Sequence, residues 1–168
     1  MTLGLSDRAG RRVVLHEVND ENWRAVADVA PRDDQRRYVP ALAARYLLLS
    51  SRGGIWHSLA VYADDTVAGH LMWGRDEGGS YWLGGMVIDA PEQGKGIGRA
   101  AVRTLTEWLA RREDCRELRL SYHPDNTVAA KLYASVGFQP TAATSGDEVI
   151  ARLTVLDGHP AVPNSPSP

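Results

Sequence analysis

The segment that most limits how this chain can fold runs from Met86 to Arg112. Met86-Val87-Ile88 is an apolar strand end and Asp89 to Lys95 reads as a loop. An amphipathic helix follows from about Gly96 to Arg112, with Ile97, Ala101, Leu105 and Leu109 recurring every fourth residue. The first amides of a helix have no internal partners and carry the positive end of its dipole. Gly94, Gly96 and Gly98 remove the Cβ atoms that would keep an anion away from those amides. A diphosphate can therefore sit on the backbone of Gly94, Lys95, Gly96, Ile97, Gly98 and Arg99, with Lys95 and Arg99 adding charge at the rim. A tight strand-to-helix connection would look similar. The spacing is neither G-x-G-x-x-G nor the G-K-[ST] ending of a P-loop, which argues against a dinucleotide or nucleoside triphosphate site.

The flanking sequence supplies the rest of a sheet. Val13 to Val18 reads as a strand, and Asn19 or Asp20 can cap a helix through about Val29 with Trp23, Val26 and Ala27 on one face. A second helix is expected from about Pro40 to Ser50. Ser58 to Tyr62, Thr66 to Gly74 and Tyr81 to Ile88 form a three-strand meander. Glu117 to Tyr122 is a strand, Thr127 to Val136 a helix, and Phe138 to Thr141 with Val149 to Leu153 a closing hairpin. This order predicts one α/β (α+β) domain over residues 1–155, with a mixed sheet of about six to seven strands flanked by about four helices. The Pro-rich segment 156–168 reads as a disordered tail.

Composition removes several function classes. With 168 residues and a formal charge of −2, the chain has no general electrostatic reason to bind nucleic acid or an anionic membrane. Cys115 is the one cysteine, no Cys/His cluster has metal-ligand spacing, and no apolar stretch approaches a membrane span. MTLGLSDRAGRR has no apolar signal region, so the cytoplasm is the expected location. No triad of His, Cys and Ser is suggested, which favours direct attack over a covalent acyl-enzyme.

A second motif lies about thirty residues beyond the glycine loop, from Ser121-Tyr122-His123-Pro124-Asp125-Asn126 to Tyr133 and Gly137-Phe138. Asp125 or Asn126 can cap the helix, and Asn126, Ala129 or Ala130, and Tyr133 share one face. On the residues alone, Asn126 is a cap and Tyr133 a packed aromatic.

Together the two motifs resemble the GNAT superfamily of N-acetyltransferases. Gln93, Gly96 and Gly98 fit its [QR]-x-x-G-x-[GA] signature, and the second motif fits N-x-x-A-x-x-L-Y-x-x-x-G-F. The resemblance covers about Val13 to Leu153. Within the superfamily the chain looks most like bacterial spermine/spermidine (diamine) acetyltransferases, through Asn22-Trp23, Asp33-Asp34-Gln35, Tyr38-Val39, Leu120 to Asn126 and Glu148 to Leu153. Gly84-Gly85 and the Pro-rich tail depart from that pattern.

The resemblance implies acetyl-CoA (coenzyme A) as cofactor. It implies a pantetheine contact at Asn126, and Tyr133 protonating the departing thiolate. It also implies a thioester carbonyl held near the backbone of Met86, Val87 and Ile88 between two splayed strands. Gly84-Gly85 would mark a bulge there or relieve crowding. The expected partner is a small-molecule amine acceptor, a polyamine first, with an amine-bearing antibiotic or biosynthetic intermediate, or a non-catalytic acyl-CoA module, as alternatives. A homodimer is the assembly to test. Asp33 and Asp34 are candidate ammonium partners, against an ordinary solvated pair. Tyr81, Trp82, Trp56, Trp73, Tyr122 and Glu148 are pocket candidates, and His70 and His123 candidate proton carriers.

Overall fold

The runs of apolar and β-branched residues between Trp56 and Ile88 pair as an antiparallel meander, and the remaining elements are laid on it or beside it. The structure is a computed structural model that describes residues 3–161. Among the described residues the order is β1 (Val13–Glu17), α1 (Trp23–Ala27), α2 (Ala44–Ser51), β2 (Trp56–Ala63), β3 (Thr66–Arg75) and β4 (Tyr81–Ile88). It continues with α3 (Ile97–Ala110), β5 (Glu117–Tyr122), α4 (Thr127–Val136), β6 (Gln139–Ser145), β7 (Glu148–Leu156) and β8 (His159–Pro160). The sheet runs β1-β2-β3-β4-β5-β7-β6, with β8 alongside β7. Its neighbours are antiparallel except β4 and β5, which the α3 crossover makes parallel. The expected mixed α+β sheet with four helices is present, and it has one strand more than expected.

The helix predicted from apolar spacing is α3. Ile97, Ala101, Leu105 and Leu109 are at most 1% exposed and pack with Leu118, Leu120, Ala151 and Leu153 of β5 and β7. Each such leucine contributes roughly 1.5–3 kcal/mol through its burial. This cluster fixes one face of the sheet. The other face carries α1 and α2, so even-numbered residues at the start of β4 and odd-numbered residues of β5 point away from α3.

Two boundaries differ from expectation for identifiable reasons. Asn19 and Asn22 exchange side-chain hydrogen bonds with each other's backbone, and Asn22 also donates to the Glu17 carbonyl. The chain is held in that turn until Trp23, where α1 starts. Trp23 itself is 42% exposed under the Arg24 guanidinium rather than facing the core. At the other end, the segment read as tail begins with structure. Asp157 and Gly158 both have positive φ, 50° and 75°, a hairpin turn that returns β8 onto β7. Residues 162–168 of that expected tail lie outside the described residues.

The feature that shapes the site is the failure of β4 and β5 to stay together. Their pairing stops after Tyr81↔Leu118 and Trp82↔Arg119. Beyond it β5 continues on β7, while β4 bends toward β3 through a bulge: Met72 opposes Gly84, and His70 opposes Val87. Gly85 takes φ 56° within this bulge, and a Cβ there would sit 3.0 Å from Met72. Gly84 lies under Trp56, 3.1 Å from where its Cβ would be. Both readings of the glycine pair therefore hold, one glycine for each.

His70, fully buried, pins the bulge. Its Nδ1 donates to the Gly85 carbonyl at 2.6 Å, so its Nε2 accepts from Ser58 Oγ at 2.9 Å. The Tyr46 ring stacks on it with centroids 5.5 Å apart. Burial lowers the imidazole to about 4, despite the bond to Gly85. The folded protein thus keeps His70 neutral where the unfolded chain would protonate it. Stability from this residue is complete above about pH 6.5 and is lost as pH falls toward 4, by about 3 kcal/mol in all. Urea unfolding midpoints across that window are expected to fall in the wild type. In His70→Gln they start lower and fall less; an unchanged slope would show that His70 is not the titrating group.

Candidate active site

The gap between the diverging strands opens into a cleft of about 1070 Å³ that runs from the start of α3 to the β6–β7 hairpin. Its floor is the backbone of Leu83 to Ile88, whose β5-facing groups have no ladder partner once the pairing ends at Trp82. Amides there are free to receive a polarised carbonyl.

At one end the cleft meets the glycine loop. Gly96 is the N-cap of α3 with φ 90°, and it offers no side chain to satisfy the first amides of the helix. Gly98 lets α3 approach α4 and β4: a Cβ there would meet Leu132 at 3.2 Å and Ile88 at 3.4 Å. Gly94, Gly96, Ile97, Gly98 and Arg99 all line the cleft. Arg103, one turn after Arg99 on the same helix face, lines it too, a pairing legible from the i, i+4 spacing.

Two loop side chains, Gln93 on the cleft wall and Lys95 off it, have partners that the sequence did not signal. Gln93 donates to the Ile88 carbonyl at 2.8 Å and exchanges two hydrogen bonds with Gln35, so its amide clasps the loop to the segment before α2. Lys95 is absent from the cleft wall and pairs with Glu92 at 3.1 Å. Glu92 also receives Arg11 at 2.5 Å, and those cations hold its carboxyl below the usual range. Arg11 in turn pairs with Asp7 at 2.8 Å. Burial of Asp7 is outweighed by the hydrogen bonds it accepts from Arg11 and Ala9, so it too stays ionised.

This chain of charges docks residues 5–12 onto the loop, an arrangement for which the sequence carried no signal. It delivers Arg8, whose backbone N–H donates to the Lys95 carbonyl and whose guanidinium donates to the Gly94 carbonyl at 3.1 Å, to the cleft wall.

In the middle of the cleft stands Tyr133 of α4, half-buried, with its ring 5.8 Å from that of Tyr122 and 6.2 Å from that of Phe138. Its hydroxyl has no hydrogen-bond partner among the described residues. Burial, with smaller effects from Tyr46 and Glu148, pushes the phenol well above its usual value, so it stays protonated. Asn126 caps α4 by accepting from the Ala129 amide at 3.1 Å and borders the cleft beside it.

The far end is aromatic. Tyr38, Tyr46, Trp56, Trp82, Tyr122 and His123 line it, together with Ser121 and Glu148. Trp82 is fixed by donating from Nε1 to Asp76 at 2.7 Å. Burial raises Tyr46 to about 12, and Glu148 adds to the shift.

Several expected pocket residues lie elsewhere. Tyr81 is in the core with its hydroxyl donating to Asp114, and Trp73 packs between His57 and Trp108. Asp33 and Asp34 are outside the cleft, and Asp33 pairs with Arg36. His70 is buried behind the bulge, so it is not a proton carrier; His123 is at the cleft wall. Cys115 is buried, its thiol pushed up to about 11, and is no nucleophile. Among the described residues no group of three or more His, Cys, Asp or Glu is placed to hold a metal, and no helix is long and apolar enough to cross a membrane.

A parallel strand pair that parts above a glycine-capped helix start defines a site for an extended, phosphate-bearing acyl carrier. The model of the acetyltransferase (GNAT) family matches residues 14–138, and the chain belongs to that family. It is an acetyl-CoA-dependent N-acetyltransferase. The spermine/spermidine N(1)-acetyltransferase of Bacillus subtilis strain 168 is 27% identical over 132 residues, covering 74% of this chain and 86% of that protein. Among solved structures, Mycobacterium smegmatis RimJ in complex with CoA-disulfide has a TM-score of 0.71 at 19% identity, covering 89% of this chain and 85% of that one. AAC(6')-Ib in complex with paromomycin and acetyl-CoA also has a TM-score of 0.71, at 16% identity over 84% of this chain and 93% of that one.

The glycine-flanked amides at the start of α3 and the guanidiniums on the cleft wall suit a polyphosphate carrier such as coenzyme A. The arrangement predicts unequal roles for two basic residues. Arg8→Ala is expected to weaken coenzyme A binding by about tenfold, the scale of one charge-assisted hydrogen bond. Lys95→Ala, which removes a cation already paired with Glu92, is expected to have a smaller effect. Calorimetric titration with coenzyme A measures both, and a larger loss in Lys95→Ala would reverse the assignment.

Proposed function

We propose that this acetyltransferase acts on a primary amine of a polyamine, by direct attack in a ternary complex. The observation that carries the reading is the aromatic far end of the cleft, continuous with the unpaired Tyr133 hydroxyl at the parting of β4 and β5. Aromatic faces attract ammonium groups, and methylene chains pack against them. The likeness to a spermine/spermidine N(1)-acetyltransferase points the same way.

Bound acetyl-CoA supplies an activated thioester. For the rest, roles are proposed for this chain's own residues. Backbone amides of Gly94 to Arg99, with Arg8, Arg99 and Arg103, bind the phosphates; Asn126 orients the pantetheine arm. Backbone near Met86, Val87 and Ile88 holds the acetyl carbonyl. The reacting ammonium first loses one proton to solvent; as the neutral nitrogen then bonds to the acetyl carbon and the carbon–sulfur bond breaks, Tyr133 gives its proton to sulfur, and the second proton released by the nitrogen restores the phenol.

A turnover screen with acetyl-CoA against polyamines, aminoglycosides, amino acids and peptides tests the acceptor. Polyamine turnover is the expected outcome; preference for an aminoglycoside or a peptide would replace the reading, and no turnover would favour a binding module. Tyr133→Phe keeps the ring and removes the hydroxyl. Its single-turnover rate is expected to fall by about 10²–10⁴-fold with little change in KM for acetyl-CoA. A rate within about threefold of wild type, far short of general-acid catalysis, would leave Tyr133 as packing alone.

A further inference from the structure

Four carboxylates line the cleft: Asp7, Asp76, Glu92 and Glu148. Three are committed. Asp7 and Glu92 are neutralised by Arg11 and Lys95. Asp76 accepts from Trp82 and from the Ser80 amide, bonds that hold it ionised. Glu148 differs. Its one hydrogen bond among the described residues comes from the Ser121 hydroxyl at 2.5 Å, and it has no ion-pair partner there.

The sheet explains where that carboxylate is. Glu148 opens β7, which pairs with β5 through Tyr122↔Val149 and Ser121↔Ile150. Leu118 and Leu120 point to the α3 core, so Ser121 and Glu148 lie on the opposite face, the face of Trp82, Gly84 and α2. Glu148 is thus a half-buried anion in an aromatic chamber. Just outside it, Asp125 and Asp147 flank His123 with side chains 80% and 84% exposed. Of the four arginines on the cleft wall, Arg99 and Arg103 are on α3, Arg8 binds the glycine loop, and Arg32 precedes the segment that Gln35 ties to Gln93.

We infer that Glu148 anchors a second cationic nitrogen of the acceptor, so that the enzyme selects di- and polyamines over monoamines; this rests on the polyamine reading above. The partner assigned to it is a nitrogen other than the one that reacts. The reacting nitrogen must shed its proton before it can attack, and an adjacent carboxylate would hold it as the ammonium. A neighbouring ammonium carries no such conflict. It gains a charge-assisted hydrogen bond in a desolvated chamber, with cation–π contact from the ring walls.

The charge of Glu148 also reaches the phenols of Tyr46 and Tyr133 and disfavours their ionisation. An ammonium seated on Glu148 cancels that field, so acceptor binding makes Tyr133 a better proton donor.

The test compares putrescine and spermidine with n-butylamine, which has the reactive end but no second cation. Wild-type enzyme is expected to prefer the first two. In Glu148→Gln, which can still accept from Ser121, KM for putrescine and spermidine is expected to rise about 10- to 100-fold, the loss of one charged hydrogen bond. KM for acetyl-CoA should stay within about threefold of wild type, and kcat/KM for butylamine should not fall, because loss of the carboxylate charge also relieves the field on Tyr133. Glu148→Asp, which keeps the charge, is expected to retain part of the preference and serves if the glutamine variant does not fold. Equal losses for butylamine and putrescine, no loss for either, or a wild-type enzyme indifferent to the second nitrogen would each overturn the inference. Wild-type turnover of aminoglycosides or peptides with none of any polyamine would instead overturn the functional reading, and this inference with it.

Discussion

The cleft depends on one buried hydrogen bond, from His70 to the Gly85 carbonyl. A carbonyl turned out of the β3–β4 ladder would be an orphan in the core, and a buried unsatisfied acceptor costs about 1–3 kcal/mol. His70 supplies the missing donor at 2.6 Å and is itself held by Ser58 and by the Tyr46 ring. With Gly85 stabilised at φ 56°, β4 bends away from β5 after two residue pairs. Everything functional follows from that parting: a floor of free backbone groups, a gap wide enough for an extended arm, and two faces from which ligands can enter. The same arrangement obliges His70 to stay neutral, so the acid sensitivity of the fold is a consequence of how the site is opened.

Charge is sorted along the gap. Toward α3 the wall offers helix amides and guanidiniums, and acids there are silenced by Arg11 and Lys95. Toward the β6–β7 hairpin the wall is aromatic with an unneutralised carboxylate. Such polarity suits the proposed pairing of a tetra-anionic carrier with a cationic acceptor, each drawn to its own end. The Asp7–Arg11–Glu92–Lys95 chain keeps the two halves distinct. Without it, Glu92 would stand bare near the phosphate loop and repel the cofactor.

The parts legible in the sequence were local ones. A strand, a glycine turn and a helix with a four-residue apolar repeat are contiguous in the chain, and their physics does not depend on distant residues. Tyr133, Gly96, Gly98 and Asn126 were readable for the same reason. The partners of Lys95 and Gln93 were not legible because they are remote: the loop is bound by Arg11, 81 residues before Glu92, and by Gln35, 58 residues before Gln93. Arg8 depends on the same long-range docking. Tyr81 and Trp82 illustrate a different limit. Strand alternation guarantees that neighbours face opposite sides, but which side is the cleft is decided by the α3 core. Asp33 and Asp34 failed through exposure, since an acidic pair in a short turn reads alike whether or not it borders a pocket.

Tyr133 presents the last question of balance. A thiol ionises near 8.5 and a phenol near 10, and burial raises this phenol further. Complete transfer of its proton to a thiolate is therefore uphill before an acceptor binds, by at least about 2 kcal/mol for a gap of that size. The phenol succeeds only if its proton moves while another arrives, or if its surroundings change when the acceptor binds. The proposed acceptor provides both routes. The attacking nitrogen must release a proton at the moment the sulfur needs one, so the two transfers can be coupled with no net charge left on the tyrosine. An ammonium beside Glu148 removes the negative field that opposes phenol ionisation. Acid strength is then low while the thioester waits alone and rises when the acceptor is in place.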